Sequence, residues 1–279
     1  MRFRVRRRVL YQVGIHATLL LILMAVAFPV YFAVVMGTLS HQDAYAFPPK
    51  LVPGGELWRN VSEVWQRVNL GRLMLNSTVV AVAVTVGKIV LSILAAFAFT
   101  HFRFRGRVLL FPLSMITQML PLPVRIVPAY GLMASFGWLN TYYALIVPYL
   151  ASTTGLLLFR QFFLTVPDEL PDAARVDGAG PLRYLVSVLL PLSKTNIAAL
   201  FVIEFVYMWN EYLWPLIVTT VPNMRVAQIG LKMMITSERT AAEWNIIMAG
   251  AVLIMLPPLV VLIAMRRQFA QGIAMQSTK

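Results

Sequence analysis

The chain has 279 residues, of which 59% are hydrophobic and only 13% are charged. Soluble globular domains carry about 25% charged residues, so this composition excludes an ordinary soluble protein and predicts a polytopic membrane protein with room for about six spans in one integral domain, residues 1–279. The absence of cysteine excludes disulfide, thiol and cysteine-ligated metal chemistry.

The first two long apolar runs are predicted to cross the membrane. Five arginines within the first eight residues precede a run over residues 9–39. It is longer than the apolar core of a signal peptide, about 7–15 residues, and no cleavage site closes it, so it reads as an uncleaved span. A polar outer loop over residues 40–72, with a short surface helix near 60–68, leads to a second span over residues 76–102. Lys88 lies in the middle of that span, where a cation needs a partner or a water-filled cavity.

The third predicted span is interrupted by prolines. It covers residues 108–136 and contains Pro121, Pro123 and Pro128, with Arg125 among them. Broken helices are tolerated at membrane depth only inside protein or beside a water-filled path. We therefore expect this span to border a polar cavity.

Three further apolar runs complete the predicted all-α bundle of six transmembrane helices. They cover residues 142–163, 196–219 and 244–265, and the last contains a proline pair that predicts a kink. Glu204 and Glu211 both lie in the fifth run, seven residues apart. That spacing is two helical turns and predicts that both carboxylates share one helix face.

The longest polar-bearing segment between two apolar runs covers residues 167–191. Asp168 can cap a helix start, and Gly178 can end that helix in a sharp turn. Ala173 and Ala174 supply a small-residue face that another surface can approach closely. A second helix is expected from about residue 181. On residue types alone, the segment could also be an ordinary cytoplasmic loop between membrane helices.

The distribution of basic residues predicts the orientation. Of the 24 Lys and Arg residues, fifteen fall on the side of the 167–191 loop and the two termini, including Lys279, seven fall in the opposite loops and two lie within spans. Loops rich in Lys and Arg remain in the cytoplasm, so both termini and this loop are predicted to be cytoplasmic. This asymmetry explains the net charge of +13 better than nucleic-acid binding does.

The sequence offers little for catalysis by the chain itself. It has no GxxxxGK[ST] phosphate loop, and its three histidines lie in separate regions without ligand spacing, so no nucleotide or metal site is expected. Glu204 and Glu211 could form an acid pair for a protease or proton relay. We favour the alternative, in which they pair with Lys88 or Arg125 across the bundle or line a polar cavity.

Several residues of the later spans could line a solute path. The sequence WNEYLW, residues 209–214, supplies aromatic faces and hydrogen-bonding groups of the kind that hold carbohydrates, although tryptophans also anchor helices at membrane surfaces. Lys88 and Arg125 could instead attract an anionic group, or could only form internal ion pairs. The candidate path residues are Lys88, Arg125, Glu204, Trp209, Asn210, Glu211 and Trp214.

The 167–191 loop also carries a recognisable motif. It contains Asp172-Ala-Ala, then Asp177-Gly-Ala, and it is followed by Pro191-Leu192. This pattern resembles the "EAA" loop of the membrane subunits of binding-protein-dependent ABC importers, with Asp172 where the family usually has Glu. In that family the loop forms a cytoplasmic coupling helix that docks in a cleft of the ATPase subunit. The resemblance implies that the coupling residues are Asp168, Glu169, Asp172, Ala173, Ala174, Asp177, Gly178 and Ala179.

Most of the chain resembles the maltose-type carbohydrate-importer permeases. Stretches that resemble the glycerol-3-phosphate branch of that family include LGRLMLNSTVV, LPLPVRIVPAY, LFRQFFLTVPDEL and EWNIIMA. The resemblance implies the type I importer architecture in a bacterial inner membrane. It also implies a second, non-identical permease, two ATPase subunits that bind ATP and Mg, and an extracytoplasmic binding protein, with no cofactor or metal on this chain. The implied cargo is sn-glycerol-3-phosphate or glycerophosphodiesters, with a neutral sugar or oligosaccharide as the alternative.

The expected mechanism is alternating access. ATP closes the ATPase dimer, residues 168–179 transmit the motion, and a cavity lined by the third and fifth spans opens outward; the small face and the turn at Gly178 are expected to be intolerant of bulk. Two other classes remain open at this point. One is a stand-alone secondary transporter or channel, which needs no ATPase, and the other is an intramembrane enzyme that uses Glu204 and Glu211.

Overall fold

The structure is a computed structural model, and it describes residues 2–119, 122–235 and 242–268. Pro121 and Lys279, which entered the predictions above, lie outside these residues, as do residues 236–241 of the segment before the last predicted span.

Every regular element in the described part of the chain is helical. The α-helices, in chain order, are α1 (Arg2–Thr38), α2 (His41–Ala44), α3 (Leu57–Arg67), α4 (Leu70–His101), α5 (Arg107–Met119), α6 (Leu122–Ser135), α7 (Tyr142–Ile146), α8 (Thr153–Phe163), α9 (Glu169–Val176), α10 (Pro181–Tyr184), α11 (Leu190–Leu192), α12 (Lys194–Trp209), α13 (Leu213–Val218), α14 (Ala227–Ile235) and α15 (Trp244–Ala264). The shorter helical segments are the 3-10 turns Val147–Tyr149 and Pro222–Met224 and the π-helical segment Leu185–Leu189.

Three of these helices are long and apolar enough to cross a membrane alone, namely α1 from Tyr11 onward, α4 and α15. Two bent pairs also qualify if each counts as one span. They join Tyr142–Tyr149 to Thr153–Phe163 at 43° and Pro181–Leu192 to Lys194–Trp209 at 75°. The described residues therefore supply up to five spans by length and composition, and the predicted count of six is not confirmed.

The described residues of the predicted third span lie in α5 and α6, and residues 120–121 between these two helices are outside the described residues. Within α5, the segment Arg107–Ile116 is apolar but short. Proline does not break every helix that contains it, because its fixed φ is itself close to the helical value. In α15 the helix continues through Pro257 and Pro258.

The chain forms two compact units, of which the first comprises Met1–Leu70 and Leu231–Met255. Asn60 of α3 is the polar centre of this unit. Its buried amide donates to the carbonyl oxygens of Gly37 at 2.9 Å and Leu39 at 2.8 Å, and its own oxygen accepts from Nδ2 of Asn245 at 3.0 Å. One side chain thus satisfies two carbonyls near the end of α1, which have no partner within the helix.

The second unit comprises Gly71–Gly230 and Leu256–Lys279. Its core combines α4, α8, α10, the π-helical segment Leu185–Leu189 and α12. The buried core side chains are Ile89, Ile93, Ala96, Phe97, Leu156, Phe159, Phe163, Tyr184, Leu185, Leu189 and Leu200. This packing joins the end of the 167–191 loop to the membrane helices.

Close helix packing in the first unit depends on Gly37. A Cβ atom at Gly37 would lie 3.1 Å from the backbone Cα and N of Ala249, whereas at Gly14, in the same helix, it would meet nothing within 4 Å. We expect Gly37→Ala to destabilise the protein by about 1–3 kcal/mol, because backbone atoms cannot move aside as a flexible side chain can. Thermal unfolding of the detergent-purified protein measures this effect.

The control for this experiment is Gly14→Ala, which is expected not to destabilise the protein, because alanine is more favourable than glycine inside a helix by about 0.5–1 kcal/mol. Equal destabilisation by both substitutions would contradict the packing explanation.

Candidate functional site

Lys88 and Glu204 form a buried ion pair between two helices of the second unit. Nζ of Lys88 in α4 lies 2.7 Å from Oε2 of Glu204 in α12, and each side chain is only 8% exposed. The hydroxyl of Ser152 donates to Oε1 of Glu204 at 2.8 Å, and the ring centroid of Tyr207 lies 5.2 Å from Nζ. The sequence left open whether Glu204 forms an acid pair with Glu211 or an ion pair with Lys88 or Arg125. In the structure Glu204 forms an ion pair with Lys88.

A cavity of about 590 Å³ lies beside this pair, and we call it the chamber. Its charged, hydroxyl and aromatic lining residues are Lys88, Arg125, Tyr149, Ser152, Thr154, Glu204, Tyr207 and Trp214. Sites for small organic ligands have volumes of about 300–1,000 Å³, so the chamber is large enough to hold one.

Arg125 of α6 is the second cation of the chamber. Its side chain is exposed, and no carboxylate of the described residues lies within ion-pair distance of it. Lys88 and Glu204 neutralise each other, and Arg125 is the cation of the chamber lining that has no ion-pair partner among the described residues. A guanidinium in this position can donate two parallel hydrogen bonds to a carboxylate or phosphate.

Three of the residues predicted for the solute path do not line the chamber. Trp209 is buried in aromatic stacking, and Asn210 donates from its side chain to a carbonyl one turn earlier in α12. Glu211 accepts a hydrogen bond from the backbone N–H of Trp214 at 3.3 Å. Since α12 ends at Trp209, the prediction that Glu204 and Glu211 share one helix face is wrong.

The chamber also contains residues that the sequence analysis missed. Tyr207 lies three residues after Glu204 in α12, and this helical spacing is a signal that could have identified it. Tyr149, Ser152 and Thr154 lie around the break between α7 and α8, where a proline at position 148 was the available signal. These three residues lie near Lys88 only because of tertiary packing.

Trp214 lines the chamber but also has a structural role. Its side chain is buried, and its indole N–H donates to the carbonyl oxygen of Ala144 at 2.8 Å. This bond holds α13 against α7. The indole therefore provides a fixed apolar wall rather than a hydrogen-bond donor for a ligand.

The loop at residues 167–191 forms a helical hairpin, and we call it the hairpin. Its first helix, α9, ends in a Schellman motif: the N–H of Gly178 donates to the carbonyl of Arg175 at 3.0 Å, and that of Ala179 to Ala174 at 2.8 Å. Gly178 has φ +72°, a left-handed conformation that favours glycine. The sequence signal for the helix end is therefore confirmed.

The surface of α9 differs in part from the prediction. Asp168 immediately precedes the helix, but its side chain forms no capping hydrogen bond. Ala173 is exposed, whereas Ala174 packs against the core of the second unit, so the two alanines do not form one free face. The exposed surface of α9 instead includes Val176, which is 88% exposed, and the ion pair between Asp172 and Arg175 at 2.9 Å.

The second arm of the hairpin is continuous with the core. Tyr184 and the π-helical segment Leu185–Leu189 are packed among buried residues, and the chain then bends by 75° into α12. Glu204 lies further along that same helix. The hairpin and the chamber are thus connected through α12.

The ion pair can be tested by a double-mutant cycle. Lys88→Met leaves the Glu204 carboxylate buried without its partner, and we expect a loss of about 3–5 kcal/mol of stability. Adding Glu204→Met should recover most of it, because apolar residues of similar volume replace a buried pair at little cost. Thermal unfolding of the two single variants and the double variant measures the coupling, and purely additive losses would contradict it.

Comparison with known proteins agrees with these features. Residues 88–275 match the family model described as the binding-protein-dependent transport system inner membrane component. The sn-glycerol-3-phosphate transport system permease protein UgpE of Pectobacterium atrosepticum is 46% identical over 264 residues, which cover 92% of this chain and 94% of the relative. The proteins of the same name from Yersinia pestis and Escherichia coli are each 44% identical, with the same coverage of both chains.

A solved structure gives an independent comparison of the fold. It is the crystal structure of a bacterial ABC transporter involved in the import of the acidic polysaccharide alginate. One of its chains matches with a TM-score of 0.83 at 18% identity, covering 93% of this chain and 96% of that chain. At this identity the likeness concerns the fold alone. Together with the family match and the curated relatives, it leads to one conclusion: the chain belongs to the family of binding-protein-dependent transport system inner membrane components and is a multi-pass inner-membrane permease of an ABC importer.

Proposed function

We propose that the chain is one permease subunit of an ATP-driven importer of sn-glycerol-3-phosphate or glycerophosphodiesters. The observation that carries this proposal is the unneutralised Arg125 in a chamber whose other cation, Lys88, is paired with Glu204. Relatives named for sn-glycerol-3-phosphate transport, at 44% to 46% identity, support the same substrate class.

The charge of the chamber favours a phosphate ester over a neutral sugar. A phosphate monoester carries a charge of about −1.5 to −2 near neutral pH, and leaving it without a counter-ion in a weakly polar cavity is very unfavourable. Arg125 supplies the counter-ion, and Thr154 and Tyr207 offer hydroxyl groups for the glycerol portion. A neutral sugar has no need of an excess cation, although the aromatic walls would suit it.

The partners follow from the family rather than from any contact within the chain. The proposed assembly contains a second, non-identical permease, two ATPase subunits and an extracytoplasmic binding protein. ATP and Mg are bound by the ATPase subunits, and this chain is a non-catalytic translocation subunit without its own cofactor. The stand-alone transporter and the intramembrane enzyme are disfavoured, the second because Glu204 is held in an ion pair and Glu211 lies beyond the end of α12.

In the proposed mechanism the hairpin and both termini lie in the cytoplasm, as the positive charges of the sequence suggest. Closure of the ATPase dimer moves residues 168–179, which fit a cleft of the ATPase subunit. The packed second arm of the hairpin transmits this motion to α12, and α12 carries Glu204 at the chamber wall. Alternation of the chamber between outward and inward access then follows from rigid-body motion of the helices.

The substrate proposal is tested by replacing Arg125. In proteoliposomes that contain the complete importer, we expect Arg125→Gln to lower uptake of sn-glycerol-3-phosphate by about ten-fold or more, because a charge-assisted bidentate hydrogen bond to phosphate is lost. Arg125→Lys keeps the charge without the planar fork and should retain intermediate uptake.

The matched control is Arg266→Gln, which removes the same charge from an exposed residue outside the chamber lining. Normal phosphate-ester uptake by Arg125→Gln would overturn the assignment of the phosphate to this cation. Uptake of a neutral sugar instead, by the unmodified importer, would establish the alternative cargo.

The coupling role of the hairpin is tested at Gly178. A Cβ atom there would meet nothing within 4 Å, so the expected defect comes from the left-handed backbone, which disfavours non-glycine residues by about 1–2 kcal/mol, and not from bulk inside the chain. We expect the Gly178→Val variant to insert and assemble normally but to be uncoupled, so that ATP is hydrolysed without uptake of the solute. Both rates are measured in the same proteoliposomes.

Gly180→Val is the matched control for this substitution. Gly180 has φ −69° and equally open surroundings, so valine fits its backbone conformation. Coupled uptake should therefore persist. Wild-type uptake by Gly178→Val would count against the docking role of the hairpin.

A further inference from the structure

A second cavity, lined by none of the chamber residues, lies in the second unit near the end of α4. Its volume is about 390 Å³, and its lining residues are Phe99, Arg107, Val108, Phe111 and Arg160. Two cations and two aromatic rings therefore surround one small space, which we call the arginine cavity. The mechanism proposed above makes no use of it.

Neither cation of the arginine cavity is neutralised within the described residues. The guanidinium of Arg160 stacks over the ring of Phe111, 4.4 Å from its centroid, and Arg107 makes only a long hydrogen bond of 3.4 Å to the carbonyl of Phe102. No described carboxylate lies within ion-pair distance of either. Two unpaired guanidinium groups beside apolar walls form a site for an anion.

The position of both arginines along their helices indicates the level of the lipid headgroups. Arg160 lies in the last turn of α8, and Arg107 begins α5, shortly after the end of α4. Both α4 and the bent pair that contains α8 are apolar enough to cross a membrane. Basic side chains at the ends of such helices lie where lipid phosphates lie.

The surface next to the arginine cavity is apolar. Val108, which also lines the cavity, is 89% exposed, and the following Leu109 is 71% exposed. A soluble anion would leave these side chains in contact with water, whereas the acyl chains of a lipid would cover them. Two neighbouring cations beside an apolar surface therefore favour a lipid over a free anion.

We propose that the arginine cavity binds the phosphate of an anionic phospholipid whose acyl chains lie over Val108 and Leu109. Basic pockets between transmembrane helices are suited to lipid phosphates of this kind. Zwitterionic lipids carry the same phosphate but add an ammonium or choline group, which the two guanidinium groups repel. The site therefore selects anionic lipids, and this inference does not depend on which solute the protein carries.

Lipid binding is tested by native mass spectrometry of the purified protein together with the subunits that remain bound to it. The delipidated sample is titrated with phosphatidylglycerol or phosphatidylcholine. We expect retention of phosphatidylglycerol in preference to phosphatidylcholine. Removing each cation, in Arg107→Gln and Arg160→Gln, should weaken the retention of phosphatidylglycerol by about five-fold.

The matched control is Arg105→Gln, which removes an exposed arginine from the same loop but not from the cavity lining. This variant should retain phosphatidylglycerol like the wild type. An equal loss in Arg105→Gln would show that only the general charge of the loop matters and would overturn the proposal. Arg160 stacks on the ring of Phe111, so Arg160→Gln could fail to fold. In that case Arg107→Gln alone tests whether the cavity binds the lipid.

A competition experiment distinguishes binding of a lipid from binding of a free anion. Inorganic phosphate at millimolar concentration is expected to leave the bound phosphatidylglycerol in place, because it cannot replace the acyl-chain contacts. Displacement of the lipid by inorganic phosphate, or equal retention of phosphatidylglycerol and phosphatidylcholine by the wild type, would overturn the assignment of the site to an anionic lipid.

Discussion

The buried ion pair between Lys88 and Glu204 is the interaction on which the organisation of the second unit depends. Either charge alone would be strongly unfavourable in so apolar a setting, so the two helices that carry them, α4 and α12, must stay together. The pair also positions Ser152 through its hydrogen bond to the carboxylate. Because the two charges cancel, Arg125 is the lining cation that stays available for a ligand among the described residues.

Breaks in the helices surround the chamber. The lining residues Tyr149 and Ser152 lie between α7 and α8, and Trp214 follows the break after α12. Backbone groups freed at such breaks need partners at membrane depth. A side chain supplies one such partner here, since the indole N–H of Trp214 donates to the carbonyl of Ala144. The same irregularity that exposes polar groups thus creates room for a solute.

The helix α12 connects the two parts of the molecule that the proposed function requires. At its start, the 75° bend and the π-helical segment Leu185–Leu189 join it to the hairpin, and Glu204 lies near its centre. Leu189 of that segment is buried in the same core as Leu200 of α12. A displacement of the hairpin therefore acts on the wall of the chamber through packed side chains, as close packing in protein interiors requires.

The membrane class, the helical fold, the family and the hairpin could all be predicted from the sequence, because these depend on local properties. Apolar runs identify membrane helices, and the short Asp-Gly-Ala sequence after α9 identifies its C-terminal turn, since a left-handed residue at a helix end is most readily glycine. The prediction that prolines interrupt the third span is wrong for Pro123 and Pro128, because both lie within the continuous helix α6. The predicted number of six spans is not confirmed, since bends such as that between α11 and α12 are set by packing.

Which of the charged side chains form an ion pair depends on how the helices pack. The sequence did not show which of the two cations, Lys88 and Arg125, pairs with a glutamate. Lys88 and Glu204 are 116 positions apart, so no local pattern indicates that they are in contact. Helix packing selects one pair, and the end of α12 at Trp209 removes Glu211 from its predicted face. The difference between a neutralised lysine and an available arginine is therefore a property of the folded chain, because desolvation and distance act only after the helices have assembled.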